Sequence, residues 1–328
     1  LCVFGGLSGA GIFTAQFFGK GDNEGLRYSV RFKLYAILLI LAVGGVILIP
    51  FGEELITLFL TEGDTTGDVA LTLFFGREYL KIALVSLIPM SLSMVYASTL
   101  RECGQPIVPM IAGMVAMGVN LVGNYILIFG HFGAPALGVV GAAAATVISR
   151  FVELGIVASW LHCNGKRHPY IIGALRSFHI PRKLTGDIIR KGMPLLFNEF
   201  MWSLGLAVLT QSYSTRGLDV VAALNINSAI YNLSSVVYMA MGNAVGILMG
   251  QMLGAGQPEH ELRDTNRKLI AVSVVAGGFF GGIMACFSGV FPQIYNTTDE
   301  VRHLAAMLIC VCAAMMPFNS YTNATYFT

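Results

Sequence analysis

The chain has 328 residues, of which 55% are hydrophobic and 12% charged, and its mean hydropathy is +0.71. A typical soluble domain carries about 25% charged residues, so this composition excludes one, and it excludes a disordered chain as well. The net charge of +2 is too small to indicate nucleic-acid binding. The class that remains is a polytopic α-helical membrane protein.

Apolar segments long enough to cross a membrane follow one another along the whole chain. A helix needs about 20 apolar residues to cross the hydrocarbon core of a bilayer. Segments of that kind lie at 1–18, 34–51, 82–100, 107–129, 136–161, 193–213, 220–250, 269–291 and 304–328. The first has neither a basic flank nor a small-residue cleavage site, so it is not interpreted as a signal peptide. The sequence therefore predicts nine membrane spans.

The basic residues give these spans a direction, because cytoplasmic loops carry an excess of lysine and arginine. Fifteen of the 20 basic residues fall in the loops after spans one, three, five and seven: Lys20, Arg27, Arg31, Lys33, Arg101, Lys166, Arg167, Arg176, Arg182, Lys183, Arg190, Lys191, Arg263, Arg267 and Lys268. The opposite side carries an acidic loop with Glu53, Glu54, Glu62, Asp64 and Asp68. We therefore expect a multi-pass protein of the plasma (inner) membrane whose basic loops face the cytoplasm.

A short motif occurs twice along the chain, 235 residues apart. Its members are Gly11, Ile12, Gln16, Gly19, Gly21, Glu24 and Lys33 in the first copy, and Gly246, Ile247, Gln251, Gly254, Gly256, Glu259 and Lys268 in the second. A glycine pair after a helix end allows positive φ angles and a sharp turn. A glutamine one turn earlier has the donors to bond the carbonyls freed there. We interpret the motif as a structural turn.

This repeat predicts the architecture. It pairs the first span with the seventh, so the unit is six helices long and both copies enter the membrane in the same direction, as in a recognised transporter plan. The expected fold is an all-α polytopic protein with two parallel-related six-helix lobes. The N-terminal lobe is 1–161, a basic cytoplasmic linker is 162–192 and the C-terminal lobe is 193–328. Completing both lobes requires one helix before Leu1 and two after Thr328, so a chain truncated at both ends is expected.

The motifs resemble those of the multidrug and toxin extrusion (MATE) transporters. The resemblance rests on the doubled Gln-x-x-Gly-x-Gly turn, on Met193-Pro194 at the start of the sixth span, on Val119-Asn120-x-x-x-Asn124 and on Gly141-Ala142-x-x-x-Thr146. It implies twelve helices in two lobes around a central cavity, of which this chain covers helices 2 to 10. It also implies export of organic cations and other amphiphiles in exchange for Na⁺ or H⁺.

Three ionisable residues fall within predicted spans, where charge is costly and therefore indicates function. Arg150 and Glu153 lie three residues apart in the fifth span, close enough to form an intramembrane ion pair. That pair either locks one helix into its lobe or takes part in coupling. Glu199, in the sixth span beside Asn198, has no basic residue within one turn.

An unpaired carboxylate in apolar surroundings suits a group that binds a proton, Na⁺ or a cationic drug. The position of Glu199 resembles that of the acidic residue in helix 7 of the bacterial Na⁺-coupled branch. The alternative is a protonated glutamate bonded to a neighbouring helix.

Amides supply the remaining candidates for binding a cation or substrate. Asn120 and Asn124 share one face of the fourth span. In the family, an Asn and an acid at this spacing, with a Thr on the next helix, form the cation site of the N-terminal lobe. Asn120 and Thr146 match that pattern, whereas Asn124 replaces the acid with a group that can ligate Na⁺ but cannot carry a proton. Amides that bond across helices as packing contacts are the alternative.

Further amides lie in the seventh and ninth spans: Asn225, Asn227, Asn319 and Asn323. They either line the cavity or bond helix to helix.

The function expected is a secondary antiporter that exports amphiphilic or cationic compounds by alternating access of two lobes. A lipid-linked oligosaccharide flippase of the same broad superfamily is the alternative, but it would need several basic residues in the cavity. No HExxH, GxSxG or P-loop motif indicates an enzyme. The six cysteines form no CxxC pair, so no metal other than Na⁺ is expected. We expect no cofactor, no nucleic acid and no obligate protein partner. The expected ligands are small organic substrates, the expected surroundings are a lipid bilayer, and the expected functional unit is a monomer.

Overall fold

A computed structural model describes residues 2–57, 69–174, 177, 179–214, 218–295 and 297–326. Within them the chain is built from helices: α1 (Cys2–Lys20), α2 (Asn23–Thr57), α3 (Val69–Glu102), α4 (Ile107–Phe129), α5 (Val139–Cys163), α6 (Arg182–Ser214), α7 (Leu218–Gly254), α8 (Glu259–Phe287) and α9 (Asp299–Tyr326). Two short 3₁₀ turns lie at His131–Gly133 and Phe291–Ile294. The all-α class predicted from composition is confirmed.

Each predicted span corresponds to one of these helices. Seven of them, α2 to α5 and α7 to α9, are long and apolar enough to cross a membrane. For α1 and α6, which are helical but not among these seven, the crossing stays a prediction. Glu53 and Glu54, expected in the acidic loop, lie in the last two turns of α2 instead, because the helix continues past its apolar run. Glu62, Asp64 and Asp68 of that loop, and Arg176 of the linker, lie outside the described residues.

The outer faces of the helices are strongly apolar. In the most apolar stretch of α2, only 6% is buried against the rest of the protein. Leu39, Val46 and Ile49 are 66%, 72% and 75% exposed. A continuous apolar surface of this kind is not stable in water and marks a region of contact with lipid or protein. In a chain with seven apolar helices, this surface is the lipid-facing side.

The chain divides into two compact units. Unit 1 comprises Leu1–Thr14 and Asp22–Phe197, and unit 2 comprises Ala15–Gly21 and Asn198–Thr328. In unit 1, α5 packs against α3 and α4, and α2 packs against α3; in unit 2, α9 packs against α7 and α8. Helix α1 therefore contributes its first residues to unit 1 and its last turns to unit 2. The lobe boundaries predicted from the sequence remain a prediction.

The segment between α5 and α6 folds back onto α2 within unit 1. Arg31 donates to the carbonyls of Ala174, His179 and Gly173 at 2.7, 2.9 and 3.1 Å, and Arg27 donates to that of Pro169 at 2.9 Å. These bonds satisfy backbone carbonyls that irregular structure would otherwise leave without donors. The segment is thus docked on unit 1 rather than solvated.

Two rings of this segment are buried and have shifted pKa values. Burial raises the pKa of Tyr170, and the nearby Cys103 thiol adds to the shift. Burial, together with the positive charge of Arg167, lowers the pKa of His168. Both side chains are therefore neutral at pH 7.

Cys103, the first residue after α3, contacts Tyr170 and is almost completely buried. Burial raises the pKa of its thiol to about 12. Because the thiolate is the reactive form, we expect a variant that retains only Cys103 to react with maleimide at pH 8 at least about 100-fold more slowly than one that retains only the exposed Cys163. Labelling in denaturing detergent is the control and should equalise the rates. Equal rates in the folded protein would contradict this packing.

Candidate functional site

The structure brings together three of the predicted cation ligands. The Asn124 amide donates to the Oδ1 of Asn120 at 3.1 Å, and the Asn120 amide donates to the Oγ1 of Thr146 at 3.3 Å. Thr146 in turn donates to the carbonyl of Ala142 at 3.0 Å. Asn120, Asn124 and Thr146 therefore form one hydrogen-bonded group between α4 and α5, which we call the amide cluster.

Small residues allow α4 and α5 to approach closely enough for this contact. A Cβ added to Gly123 of α4 would lie 3.1 Å from the Cβ of Ala145, and one added to Gly141 of α5 would overlap the carbonyl of Leu127. Glycine and alanine at a crossing let the two backbones approach, as is usual between helices in membranes. The small residues at this crossing therefore bring α4 and α5 close enough for the side chains of the amide cluster to bond.

One acceptor of the amide cluster has no donor. The Oδ1 of Asn124 is buried and makes no hydrogen bond within the described residues. A buried carbonyl oxygen without a donor is costly, which makes this atom the candidate ligand for a cation in the cluster. The cluster presents oxygen atoms and no ionisable group, a set that suits a hard monovalent cation and cannot bind a proton.

Arg150 and Glu153 lie on α5, beyond the amide cluster. The Nη1 of Arg150 is 2.8 Å from the Oε2 of Glu153, and their side chains are 40% and 18% exposed. The ion pair is thus present, half-buried, one helical turn from Thr146. Arg101 of α3 also interacts electrostatically with Glu153.

A second buried ion pair was missed by the sequence analysis. Lys33 of α2 and Glu102 of α3 form a salt bridge in which the lysine side chain is fully buried and the glutamate side chain is 9% exposed. Lys33 also donates to Ser98 and Thr99 at 3.2 and 3.3 Å. Lys33 and Glu102 both lie just outside the predicted spans 34–51 and 82–100, so the pair was not among the three ionisable residues counted there, although α2 begins eleven residues before the apolar run that starts at 34. The recurrence of Lys33 in the repeat was the available signal.

In unit 2, Glu199 and Asn198 lie beside the end of α9. The Asn198 amide donates to the hydroxyl of Tyr326 at 3.2 Å, and Tyr326 also interacts electrostatically with Glu199. Glu199 is half-buried, and no ion pair reaches it within the described residues. Tyr326 was not predicted, because its partner lies 128 residues away and no spacing rule links them.

The other predicted amides are dispersed over α7 and α9. The Asn227 amide is buried and donates to the Sγ of Cys312 at 3.6 Å, whereas Asn225 is exposed. The Asn323 amide donates to the backbone carbonyl of Asn319 at 3.0 Å, within its own helix. Over the part of the chain that the structure describes, these four amides do not form one hydrogen-bonded cluster.

The two copies of the turn motif meet in unit 2. A Cβ on Gly19 would overlap the carbonyl of Gln251, and a Cβ on Gly254 would overlap the carbonyl of Gln16. The second glycine of each copy ends its helix with positive φ, 74° at Gly21 and 71° at Gly256. The two glycines thus have different roles, since the first permits a close crossing and the second makes the turn.

Backbone N–H groups donate to the carbonyls freed in the second copy of that turn. The N–H groups of Ala255, Gly256 and Gln257 donate to the carbonyls of Gln251, Leu253 and Met252 at 2.9, 3.1 and 3.3 Å. That a glutamine side chain also bonds these carbonyls stays a prediction. The residue matters for its position, because its carbonyl is what the opposite glycine contacts.

Seven apolar helices with ion pairs and an oxygen-lined polar cluster among them define a polytopic membrane protein with polar groups of the kind that mark functional sites within a membrane. A comparison with family models gives a more specific assignment. The family model described as MatE matches residues 1–126 and 194–327, so this chain belongs to the MatE family. The resemblance seen in the sequence motifs is confirmed.

Individual relatives agree with this assignment. The chain is 29% identical over 301 residues to "Probable multidrug resistance protein NorM" of Thermotoga maritima, covering 91% of this chain and 62% of that protein. It is 24% identical over 306 residues to "Probable multidrug resistance protein YoeA" of Bacillus subtilis, covering 93% and 64%. The chain thus spans less than two thirds of the length of these curated relatives. The matched proteins are transporters, not enzymes.

A solved structure supports the fold. The crystal structure of MATE in the bent conformation matches with a TM-score of 0.79 and 23% identity, over 99% of this chain and 70% of that one. At this identity the likeness establishes the fold alone.

Proposed function

We propose that this chain functions in a secondary antiporter that exports amphiphilic, mainly cationic organic compounds in exchange for Na⁺ or H⁺. The observation that carries the proposal is the amide cluster, whose buried Asn124 Oδ1 lacks a donor. In this proposal the cluster binds the coupling cation and the two lobes alternate in access. The basic loops and the segment between α5 and α6 face the cytoplasm of a plasma membrane.

The two candidate sites differ in chemistry. The amide cluster has no titratable group, so a cation bound there competes with no proton. Glu199 carries a carboxylate that either a proton or a cation can neutralise. Ion and substrate must favour different lobe arrangements, because only a differential affinity shifts such an equilibrium. Coupling through Na⁺ assigns the driving ion to the amide cluster, and coupling through H⁺ assigns it to Glu199.

A flippase for lipid-linked oligosaccharides is the weaker candidate. Such a protein must bind phosphate groups, for which unpaired basic side chains within the spans are needed. Arg150 is paired with Glu153, and Lys33 with Glu102. Arg150 is the basic residue that falls within the predicted spans. Its charge is already compensated by Glu153, so it is not available for a phosphate group.

The test is ethidium efflux from cells that express the gene in full, with Na⁺ and pH gradients imposed separately. Loss of efflux only when the Na⁺ gradient is removed supports the amide cluster as the coupling site. Loss only with the pH gradient supports Glu199. Efflux independent of both gradients would overturn the antiporter proposal, and transport of phosphate-bearing lipid instead would favour the flippase.

Neutralising Glu199 is expected to lower coupled efflux by about tenfold or more. The carboxylate is half-buried and makes no ion pair with any residue that the structure describes, and an interaction with a charged group of this kind contributes about 1.5–3 kcal/mol. The measurement is the initial rate of dye efflux for Glu199→Gln against wild type at equal expression. The matched control is Glu78→Gln, which removes an acid that is also partly buried but is paired with Lys81, and it should leave the rate unchanged. Wild-type efflux from Glu199→Gln would exclude Glu199 from the mechanism.

A further inference from the structure

Arg150 lies within reach of two different partners on the same helix face. Thr146, Arg150 and Glu153 are spaced by four and three residues on α5, so they share one face. At present Arg150 bonds to Glu153, on the side toward the helix C-terminus. Thr146 and the amide cluster lie on the opposite side, one turn toward the N-terminus.

Helix geometry favours an Arg150 side chain directed toward Thr146 as much as one directed toward Glu153. The Cα–Cβ bond of every helical residue is tilted toward the N-terminus, and long side chains usually extend over the preceding turn. One turn is about 5.4 Å, which an arginine side chain spans. The Arg150 side chain is 40% exposed, so close packing does not confine it to Glu153.

The amide cluster offers what a guanidinium requires. The Asn124 Oδ1 is buried without a donor within the described residues, and the arginine fork carries five N–H donors and a permanent charge. The neighbouring α4 face is formed by small residues, including Ala112, Gly113 and Ala116.

We propose that Arg150 is a tethered cation that alternates between Glu153 and the amide cluster, and so competes with the coupling cation for the same oxygens. The proposal rests on the cation-binding role of the cluster stated above. When Na⁺ occupies the cluster, Arg150 pairs with Glu153. When Na⁺ leaves, the guanidinium donates to the Asn124 Oδ1 and supplies the donor that this buried oxygen otherwise lacks among the described residues. Glu153 is then a positioning residue that acts through Arg150.

Radiolabelled Na⁺ binding to purified protein, in a Glu199→Gln background, tests this exchange. Arg150→Gln should bind Na⁺ about fivefold more tightly or better, since its competitor is gone, and Glu153→Gln should bind it more weakly by a similar factor, since Arg150 is released to the cluster. Arg77→Gln, which removes an exposed arginine paired with Glu53 at 3.3 Å, is the matched control and should leave affinity unchanged. Equal weakening by both variants would overturn the exchange and indicate a purely structural ion pair.

A double variant separates exchange from simple charge effects. A fixed electric field would also tighten binding in Arg150→Gln and weaken it in Glu153→Gln, but the two changes would then add. Exchange requires that Glu153→Gln has no further effect once Arg150 is glutamine, because Glu153 acts only through that side chain. Additive changes would overturn the proposal.

Two controls keep the outcome interpretable. Each variant is compared by its size-exclusion profile and melting temperature, and Arg150→Lys, which keeps the charge, should restore part of the competition if Arg150→Gln folds poorly. Asn124→Ala in the same background should abolish Na⁺ binding. Unchanged binding in Asn124→Ala would overturn the cation site itself, whereas its loss together with additive Arg150 and Glu153 effects would overturn the exchange alone.

Discussion

Replacing Lys33 with methionine is expected to lower the stability of unit 1 by about 3 kcal/mol or more, which corresponds to a fall in melting temperature of roughly 6 °C or more. The ammonium is fully buried and paired with Glu102, whose side chain is 9% exposed. Its removal takes away the positive charge that offsets burial of the carboxylate, and truncating one partner of a buried pair is far more damaging than removing both. The measurement is the melting temperature of purified protein in one detergent.

The repeat supplies a matched control for this prediction. Lys268 occupies the corresponding position of the second copy, but its side chain is 74% exposed and pairs with Asp264 at 2.6 Å on the surface. An exposed pair of this kind contributes about 0–1 kcal/mol, so Lys268→Met should leave the melting temperature almost unchanged. The double variant Lys33→Met with Glu102→Met should recover most of the loss. Equal effects at the two lysines would mean that burial of the first pair has no energetic consequence.

The helices were predictable where a polar boundary coincides with a helix end, and less so elsewhere. The apolar run 107–129 has the bounds of α4, because Pro106 precedes it and Gly130, with φ of 74°, ends it. Helix α2 begins at Asn23, eleven residues before its apolar run, since the side chain of Asp22 accepts bonds from the N–H groups of Glu24 and Gly25 and so caps the helix start. Hydropathy reports contact with lipid, not the extent of the backbone helix.

The candidate site was predictable to the extent that it is local in sequence. Asn120 and Asn124 are four residues apart, and this spacing alone predicts that they share one helix face, where the structure shows them bonded. Thr146 was predicted from the family resemblance, and the structure places it against Asn120. Contacts between distant segments gave no such signal. Asn198 with Tyr326 depends on how α6 and α9 pack, and periodicity within one helix carries no information about that packing.

The largest structural effect in unit 2 is expected from the first glycine of each turn motif. Gly19→Ala and Gly254→Ala each add a methyl group that overlaps a backbone carbonyl of the opposite copy. A backbone atom cannot rotate away as a side chain does, so the helix ends must separate, at about 1–3 kcal/mol or more for each variant. The double variant should cost less than the sum of the two, because one displacement of the crossing relieves both overlaps.

Gly21 and Gly256, the turn-forming glycines of the two copies, give the comparison that decides this prediction. Gly21→Ala and Gly256→Ala meet no atom within 4 Å, and their cost is the left-handed backbone alone, about 1 kcal/mol. Melting temperatures of all four single variants in the same detergent should therefore fall into two pairs, with Gly19→Ala and Gly254→Ala lower. If all four fell equally, the motif would act only as a turn at each helix end, and its repetition would reflect local backbone geometry. If the two pairs separate, each copy is maintained by contact with the other, and the duplication is stabilised where its two copies cross.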